Sequence, residues 1–134
     1  LGTQYWAENP HVDDYMARYG ILLDMVGGKN ATFLQEGFSK EVASNVVNKV
    51  WKQASKLGYS SYFLGQTGNY ITDDHVFVNK IAKIPSVDII QTNQNSNSAF
   101  ASYWHTLKDD MNSVDKQTLK VVGQTVMSVI YNEK

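Results

Sequence analysis

The sequence predicts a layered α/β domain with a largely parallel sheet. Two short apolar runs that suit buried strands, Ile21–Val26 and Val87–Ile90, alternate with two longer segments of helical periodicity, Ser39–Leu57 and Asp115–Tyr131. Strands that alternate with helices are typical of sheets whose strands run parallel under helical layers. The 134 residues suffice for one domain with an apolar core, so we interpret residues 1–134 as a single domain.

The segment from Tyr19 to Gly28 is the centre of the predicted fold. Its apolar run is too short for a helix and predicts a strand buried on both faces, yet Asp24 lies near the carboxyl end of that run. A buried carboxylate is costly without a metal, a cation or hydrogen-bond donors, and open α/β sheets bind ligands beyond the carboxyl ends of their strands. Asp24 is therefore a candidate site residue. The alternative is a carboxylate that accepts backbone N–H groups in a sharp turn at Gly27-Gly28.

The next segments predict a loop, a long helix and a short strand. Residues 29–38 predict the loop, and Ser39 is a suitable N-cap for the helix. Gly58 provides a left-handed stop, and the aromatic segment Tyr59–Leu64 predicts the strand. The apolar face of the helix consists of Val42, Val46, Val47, Val50, Trp51, Ala54 and Leu57.

The second half of the chain repeats this alternation. A polar segment that ends at Asp73-Asp74-His75 precedes Val76–Ile84, which has helical character, and Pro85 leads into the second strand. Gln91–Ser98 is almost wholly polar and predicts a surface loop. The closing helix begins after Ser113 or Asp115 as cap, with Leu119, Val122, Val126, Val129 and Ile130 on its apolar face.

Composition excludes several classes of function. The net charge is −1 and no basic run is present, so nothing indicates a nucleic-acid partner. No stretch approaches the roughly 20 apolar residues of a membrane span. Because the chain has no cysteine, any zinc site must use His, Asp or Glu.

Three places in the sequence carry polar residues that an apolar core would not favour: Asp24, the Asp73-Asp74-His75 cluster and His105. Imidazole and carboxylate groups suit zinc, and Trp104 could wall an apolar pocket beside the metal. Each residue also has a structural interpretation. A histidine after a tryptophan is more often packed or capping, and Asp73 or Asp74 could cap a helix that starts at Val76. Asp109-Asp110 predicts a solvated turn.

The combination of motifs is more specific than its parts. Leu22-Leu23-Asp24-Met25-Val26-Gly27, Ile71-Thr72-Asp73-Asp74-His75, and Phe100 followed by Trp104-His105-Thr106 and Asp109-Asp110 stand in this order. This arrangement, from about Gly20 to Tyr131, resembles the glutaminyl cyclases and, more broadly, the zinc aminopeptidase superfamily to which they belong. The resemblance implies a zinc-exopeptidase-like α/β/α fold, with a mostly parallel, partly mixed sheet that is incomplete in this chain.

The same resemblance assigns roles to the metal and proton-transfer residues. His105 looks like a zinc ligand. Asp24 matches an aspartate that binds a second zinc in the aminopeptidases and joins a carboxylate hydrogen-bond relay in the cyclases. Asp73 looks like the relay partner in the cyclases, where aminopeptidases more often carry a serine. Asp24 and Asp73 are thus the candidate catalytic residues.

Substrate contacts follow from the resemblance as well. Trp104 matches the cyclase tryptophan beside the metal ligand, and Phe100 matches an aromatic residue that lines the substrate pocket. Thr72 stands where animal cyclases carry glutamine, so its substrate contact differs from theirs.

The resemblance also implies a missing part. In this family the other zinc carboxylates and the acid/base glutamate come from a preceding half of the chain, and Leu1 to Tyr19 contains nothing similar. We therefore expect this chain to be the carboxyl-terminal half of a zinc-dependent cyclase, inactive alone. The parent enzyme, secreted or periplasmic like many relatives, would convert an N-terminal glutamine of a peptide to pyroglutamate with release of ammonia. The alternatives are a two-zinc aminopeptidase and a metal-free, non-enzymatic relative.

Overall fold

Two pairs of parallel strands, each a two-stranded sheet, lie in the computed structural model, which describes residues 2–92 and 100–133. The strands are β1 (Gly20–Asp24), β2 (Phe33–Gln35), β3 (Phe63–Thr67) and β4 (Ser86–Ile90). β1 pairs with β4 and β2 pairs with β3, while an antiparallel bridge between Phe33 and Gln91 links the two pairs. The layered α/β fold with a mostly parallel, partly mixed sheet is thereby confirmed.

β1 and β4 are neighbouring parallel strands, as the sequence predicted. Leu22 lies opposite Asp88, and Asp24 lies opposite Ile90. Every residue of β4 is buried, but β1 is only half-buried and Leu23 is 44% exposed. The prediction that β1 is buried on both faces is wrong, because the described residues cover its faces only in part.

Five α-helices accompany the sheet in the described ranges: α1 (Gly2–Glu8), α2 (Gly37–Val42), α3 (Ser44–Lys56), α4 (Asp74–Phe77) and α5 (Lys116–Tyr131). A π-helical turn, Val78–Ala82, continues α4, so the helix predicted from Val76 is present but begins earlier. Asp115 caps α5 as expected, and Gly58 adopts the left-handed conformation with a φ of 83°. None of the described helices has the length and apolar character needed to cross a membrane.

The long helix predicted from Ser39 is two helices. The chain leaves helical geometry at Ala43, whose φ is −135° and ψ is 37°, and α3 begins after it. Ser39 is not an N-cap, because the carboxylate of Glu36 caps α2 by accepting the N–H groups of Phe38 and Ser39. The predicted loop at residues 29–38 therefore contains β2 and this cap.

The core lies between the sheet and the helices α3 and α5. Its fully buried members include Phe33, Val47, Val50, Ile89 and Val121. The strand predicted at Tyr59–Leu64 begins later, at Phe63, where Trp51 packs edge-on against the Phe63 ring and donates its indole N–H to the Leu64 carbonyl at 2.8 Å. Most of the polar loop predicted at Gln91–Ser98 lies outside the described residues.

Candidate active site at the carboxyl edge of the sheet

Asp24 and Asp73 meet at the carboxyl end of β1. Asp24 is the last residue of the strand, and Asp73 is the N-cap of α4, where its Oδ1 accepts the Asp74 N–H at 2.7 Å. The two carboxyl groups lie close enough to interact through both their charge and a side-chain hydrogen bond. Burial, and next the charge of Asp73, raise the pKa of Asp24. Two residues far apart in the sequence thus form one carboxyl pair.

The turn after β1 depends on Met25. This residue has a φ of 49°, in the left-handed region that non-glycine residues seldom adopt, and its N–H donates to the Asp24 carboxylate. The chain turns at Val26 and Gly27 as predicted, although neither Gly27 nor Gly28 has a positive φ. The contact from the Met25 N–H is compatible with the contact to Asp73, so the backbone-acceptor interpretation and the site interpretation of Asp24 do not exclude each other.

The segment that carries Phe100, Trp104 and His105 is anchored near the same edge. The hydroxyl of Tyr103 donates to Gln91 Oε1 at 3.0 Å, and Gln91 directly follows β4. Gly28 lies against both side chains, and a Cβ at this position would collide with them. A larger residue here would displace the ends of both side chains, so the glycine favours the approach of the segment to the carboxyl ends of β1 and β4.

Three aromatic rings stack within this segment. The Trp104 ring centroid lies 4.6 Å from that of Phe100 and 3.9 Å from that of His105, and the rings of Trp104 and His105 are nearly parallel. His105 is exposed and has a φ of 56°, a second strained non-glycine residue near the site. Trp104 is 37% exposed, so its ring is not enclosed by the described part of the chain. The convergence of His105 with Asp24 and Asp73 stays a prediction.

The metal donors in the described ranges are few. No three His, Asp or Glu side chains in residues 2–92 and 100–133 are grouped so that they could hold one metal ion. The donor types are nevertheless suitable for zinc, since His105 offers an imidazole and Asp24 a carboxylate. Thr72, the remaining predicted substrate contact, is exposed and directly precedes Asp73.

Four buried residues beside the carboxyl pair were given no role in the site's chemistry from the sequence: Glu36, Ser39, His75 and Asp88, which we call the buried ring. His75 Nε2 lies 3.1 Å from Glu36 Oε2, and His75 Nδ1 lies 3.7 Å from Asp88 Oδ2. Ser39 closes the ring, because its hydroxyl donates to Glu36 at 2.7 Å and accepts the Asp88 N–H at 2.9 Å. All four residues are almost completely inaccessible to solvent.

The two carboxyl groups of the buried ring have opposite pKa shifts. Burial acts against the charge of Glu36, but hydrogen bonds from His75, Ile71 and Ser39 outweigh burial and lower its pKa to about 2. Burial, followed by the negative charges of Asp73 and Asp24, raises the pKa of Asp88 to about 8. The signal for Asp88 was present in the sequence, since it interrupts an apolar strand as Asp24 does.

The model for peptidase family M28 matches residues 1–130. This chain belongs to peptidase family M28. Its M28 fold is similar to that of several solved structures, whereas none of the curated protein sequences compared with it matches significantly.

Two of these structures are glutaminyl cyclases. The enzyme from Bacteroides thetaiotaomicron, bound to N-acetylhistamine, is 54% identical to this chain with a TM-score of 0.97. The match covers 100% of this chain and 45% of that enzyme. The enzyme from Tannerella forsythia is 49% identical with a TM-score of 0.96, and the match covers 100% of this chain and 46% of that enzyme. A Zn-dependent exopeptidase from Parabacteroides distasonis is 56% identical with a TM-score of 0.97, over 99% of this chain and 46% of that protein. This M28 chain therefore spans less than half the length of these relatives.

Proposed function

We propose that the complete protein is a zinc-dependent glutaminyl-peptide cyclotransferase, and that this chain is the carboxyl-terminal part of its catalytic domain. The observation that carries the proposal is the hydrogen-bonded pair of Asp24 and Asp73. The glutaminyl cyclases that the sequence resembles use such a carboxyl pair as a proton relay, whereas aminopeptidases more often have serine in place of Asp73. The similarity to two bacterial glutaminyl cyclases supports the same assignment.

His105 would hold the metal through its imidazole, together with ligands from outside this chain, since a catalytic zinc site needs three protein ligands. Zinc, when bound, supplies a Lewis acid that polarises the γ-carbonyl of the substrate glutamine. The strained φ of 56° at His105 supports a functional role, because strained residues cluster at active sites. Asp24 would be a direct ligand only in a two-zinc enzyme.

The carboxyl pair would support proton transfer. Cyclisation requires a proton to move from the attacking α-amine to the departing amide nitrogen, which leaves as ammonia. A glutamate outside this chain would carry that proton, and the contact between Asp24 and Asp73 would hold the hydrogen-bond network in one arrangement. Asp24 keeps its place because Met25 donates to it, and Asp73 keeps its place because it caps α4.

The aromatic rings would enclose the substrate. Trp104 and Phe100, with ring centroids 4.6 Å apart, offer an apolar surface next to His105, and Thr72 lies directly before the relay residue Asp73. Enclosure favours cyclisation because it holds the amine and the γ-carbonyl in a near-attack geometry. The substrate is accordingly a peptide with an N-terminal glutamine.

A two-zinc aminopeptidase is the second candidate. The similarity to the Zn-dependent exopeptidase of Parabacteroides distasonis favours it. In a two-zinc aminopeptidase Asp24 would bind the second zinc directly, and the metal ions would supply Lewis-acid chemistry for hydrolysis of the peptide bond. A metal-free relative that keeps the fold without the chemistry is the third candidate.

Zinc content and product analysis of the complete protein separate the three candidates. We expect about one zinc per chain, by analogy with catalytic sites that bind one metal through three protein ligands, and release of ammonia with pyroglutamate from a glutaminyl peptide. His105→Ala should lose both the metal and the activity, whereas Trp104→Ala should keep the metal and raise KM. His11→Ala, which alters another exposed histidine, is the matched control and should keep both.

Other outcomes reassign the protein. Release of N-terminal amino acids without pyroglutamate, with two zinc ions per chain, would establish the aminopeptidase. Absence of zinc and of both products would establish the non-enzymatic relative. We also propose a secreted or periplasmic location from the resemblance, and recovery of the complete protein only in the cytoplasmic fraction of its source cells would contradict it.

A further inference from the structure

The buried ring of Glu36, Ser39, His75 and Asp88 has no part in the chemistry proposed above, yet it lies directly behind the carboxyl pair. Three of its polar atoms, His75 Nδ1 and both carboxyl oxygens of Asp88, have no hydrogen-bond partner among the described residues. A buried polar atom without a partner is costly, so the arrangement calls for an explanation.

Glu36 determines which nitrogen of His75 carries hydrogen. Its carboxylate already accepts the N–H groups of Phe38, Ser39 and Ile71 as well as the Ser39 hydroxyl. A carboxylate surrounded by donors is ionised and accepts from every neighbour. His75 Nε2, 3.1 Å away, is therefore the donor to Glu36, and His75 Nδ1 is the atom that faces Asp88.

A single proton on either His75 or Asp88 would remove the repulsion between the Nδ1 lone pair and the carboxylate. Without it, the lone pair of Nδ1 would face a carboxylate in a site that excludes water. The proton could reside on either partner, but a charge-assisted pair of imidazolium and carboxylate contracts to about 2.7–2.9 Å. The observed separation of Nδ1 and Oδ2 is 3.7 Å, so the contracted ion pair is not formed, and the surroundings of Asp88 decide which partner holds the proton.

The surroundings of Asp88 also favour the neutral acid. The charged groups that face it are Asp24 on β1, Asp73 and Asp74 at the start of α4, and Glu36 before α2; all are acidic. His75 is the titratable group in contact with it. A further negative charge among these groups would be repelled by each of them.

Geometry connects Asp88 to the carboxyl pair. Residues opposite each other on paired strands, and residues two apart along a strand, point to the same face of a sheet. Asp88 lies opposite Leu22, so Asp88 and Asp24 share a face of the β1–β4 pair. His75 belongs to α4, whose N-cap is Asp73.

We infer that Asp88 is a proton-holding positioning residue: as a neutral acid facing His75 Nδ1, it keeps the start of α4, and with it Asp73, in place against Asp24. The catalytic part of this inference rests on the proposed function, whereas the protonation of Asp88 does not. Ionisation of Asp88 would place a carboxylate against the Nδ1 lone pair, push α4 away from β4 and loosen the contact between Asp73 and Asp24.

The test compares the wild-type complete protein with Asp88→Asn, whose amide has the shape of the acid, donates to Nδ1 and cannot ionise. Asp13→Asn, at an exposed position, is the matched control. Infrared spectra between pH 6 and pH 10 report the C=O stretch of protonated carboxyl groups. We subtract the spectrum of Asp88→Asn from that of wild type. The difference spectrum should contain such a band at pH 6 and should lose it as the pH rises past 8. The Asp13→Asn difference should contain none.

The positioning role has its own readout. The kcat of wild type should fall several-fold between pH 7.5 and pH 9.5 relative to that of Asp88→Asn, with little difference in KM. Parallel pH profiles would overturn the positioning role, and an unprotonated Asp88 at pH 6 would overturn the whole inference.

If Asp88→Asn does not fold, carboxyl resonances of wild-type protein labelled with carbon-13 at aspartate decide the protonation. If the complete protein proves to be an aminopeptidase, the profiles are measured with that activity, so failure of the proposed function is a separate result.

Discussion

Glu36 and Asp88 show that burial alone does not determine the charge of a carboxyl group. Both side chains are withdrawn from solvent within the same buried ring. Glu36 faces backbone and side-chain donors, and its pKa falls to about 2, whereas the Asp88 carboxyl oxygens have no donor and its pKa rises to about 8. The difference lies in the available donors, which stabilise the charged form of one residue and not of the other.

Glu36→Gln should therefore destabilise the fold strongly. The glutamine amide would point a donor at groups that are themselves donors, and the charge-assisted hydrogen bonds to Ser39 and His75 would be lost. We expect a loss of roughly 3 kcal/mol in the free energy of unfolding of the complete protein. Denaturant titration measures it, with the exposed Glu8→Gln as matched control at about 0.5 kcal/mol or less. Equal losses in both variants would show that the donors around Glu36 contribute nothing.

The contribution of Asp88 to the free energy of unfolding should decline as the pH rises. Its pKa rises from 3.8 in the unfolded chain to about 8 in the folded one, so its contribution is fully present below 3.8 and is lost as the pH rises to 8. The slope is at most about 1.4 kcal/mol per pH unit. The opposite shift of Glu36 acts below pH 4.5 and does not overlap the range from pH 5 to pH 8.

Denaturant titrations at pH 5, 6.5, 8 and 9 test this contribution. The stability of wild type relative to Asp88→Asn should fall from pH 5 to pH 8 and then stay constant. A difference that does not change with pH would mean that Asp88 ionises equally in the folded and unfolded chains.

At the scale of elements, Trp51 joins α3 to β3. Its indole N–H donates to the Leu64 carbonyl at 2.8 Å, and its ring packs edge-on against Phe63 at 5.3 Å. Trp51→Phe keeps an aromatic ring but leaves the carbonyl without this donor, which should cost about 1–3 kcal/mol of stability. The change lies in the core and should leave the zinc content of the complete protein unaltered.

Trp6→Phe is the matched control for Trp51→Phe. It removes an indole N–H that donates to His11 Nδ1 at an exposed position, where water can replace it. Thermal or denaturant unfolding of both variants checks the expectation. A larger loss from Trp6→Phe than from Trp51→Phe would contradict it.

Local signals in the sequence were sufficient for several elements. The apolar runs placed β1 and β4 and predicted their parallel pairing, and the helical period with the Asp115 cap placed α5. The positions of these strands and of the helix depend on residues close together in sequence, so the pattern contains the cause. The pairing of β1 with β4 joins distant residues and followed from the alternation of strands with helices.

Features that depend on distant partners could not be predicted in this way. Glu36 displaces Ser39 as helix cap because its carboxylate also receives hydrogen from Ile71 and His75, which no local pattern reveals. β1 was expected to be buried on both faces, but the burial of a face depends on which distant elements pack over it. Asp88 could have been found by the argument that identified Asp24, because both interrupt apolar strands.

At the scale of the whole molecule, the candidate site lies on the outermost strand of the described sheet. Asp24 ends β1, whose outer edge pairs with no other described strand, and Leu23 beside it is 44% exposed. His105 and Trp104 are exposed as well. The chain spans 45% of the similar Bacteroides thetaiotaomicron enzyme. A site at an open edge, with few metal donors among the described residues, is accessible to water and supplies an incomplete set of ligands.

The isolated 134-residue chain should accordingly neither retain stoichiometric zinc after dialysis nor cyclise a glutaminyl peptide. One imidazole with one or two carboxylates leaves the zinc coordination incomplete, and Asp24 and Asp73 could act as acid and base only by giving up their mutual hydrogen bond. Metal analysis and ammonia release are measured on the isolated chain and on the complete protein, with circular dichroism as a check that the chain has folded. Turnover by the folded chain alone would show that the active site lies wholly within these residues and that the assignment of an external acid/base glutamate is wrong.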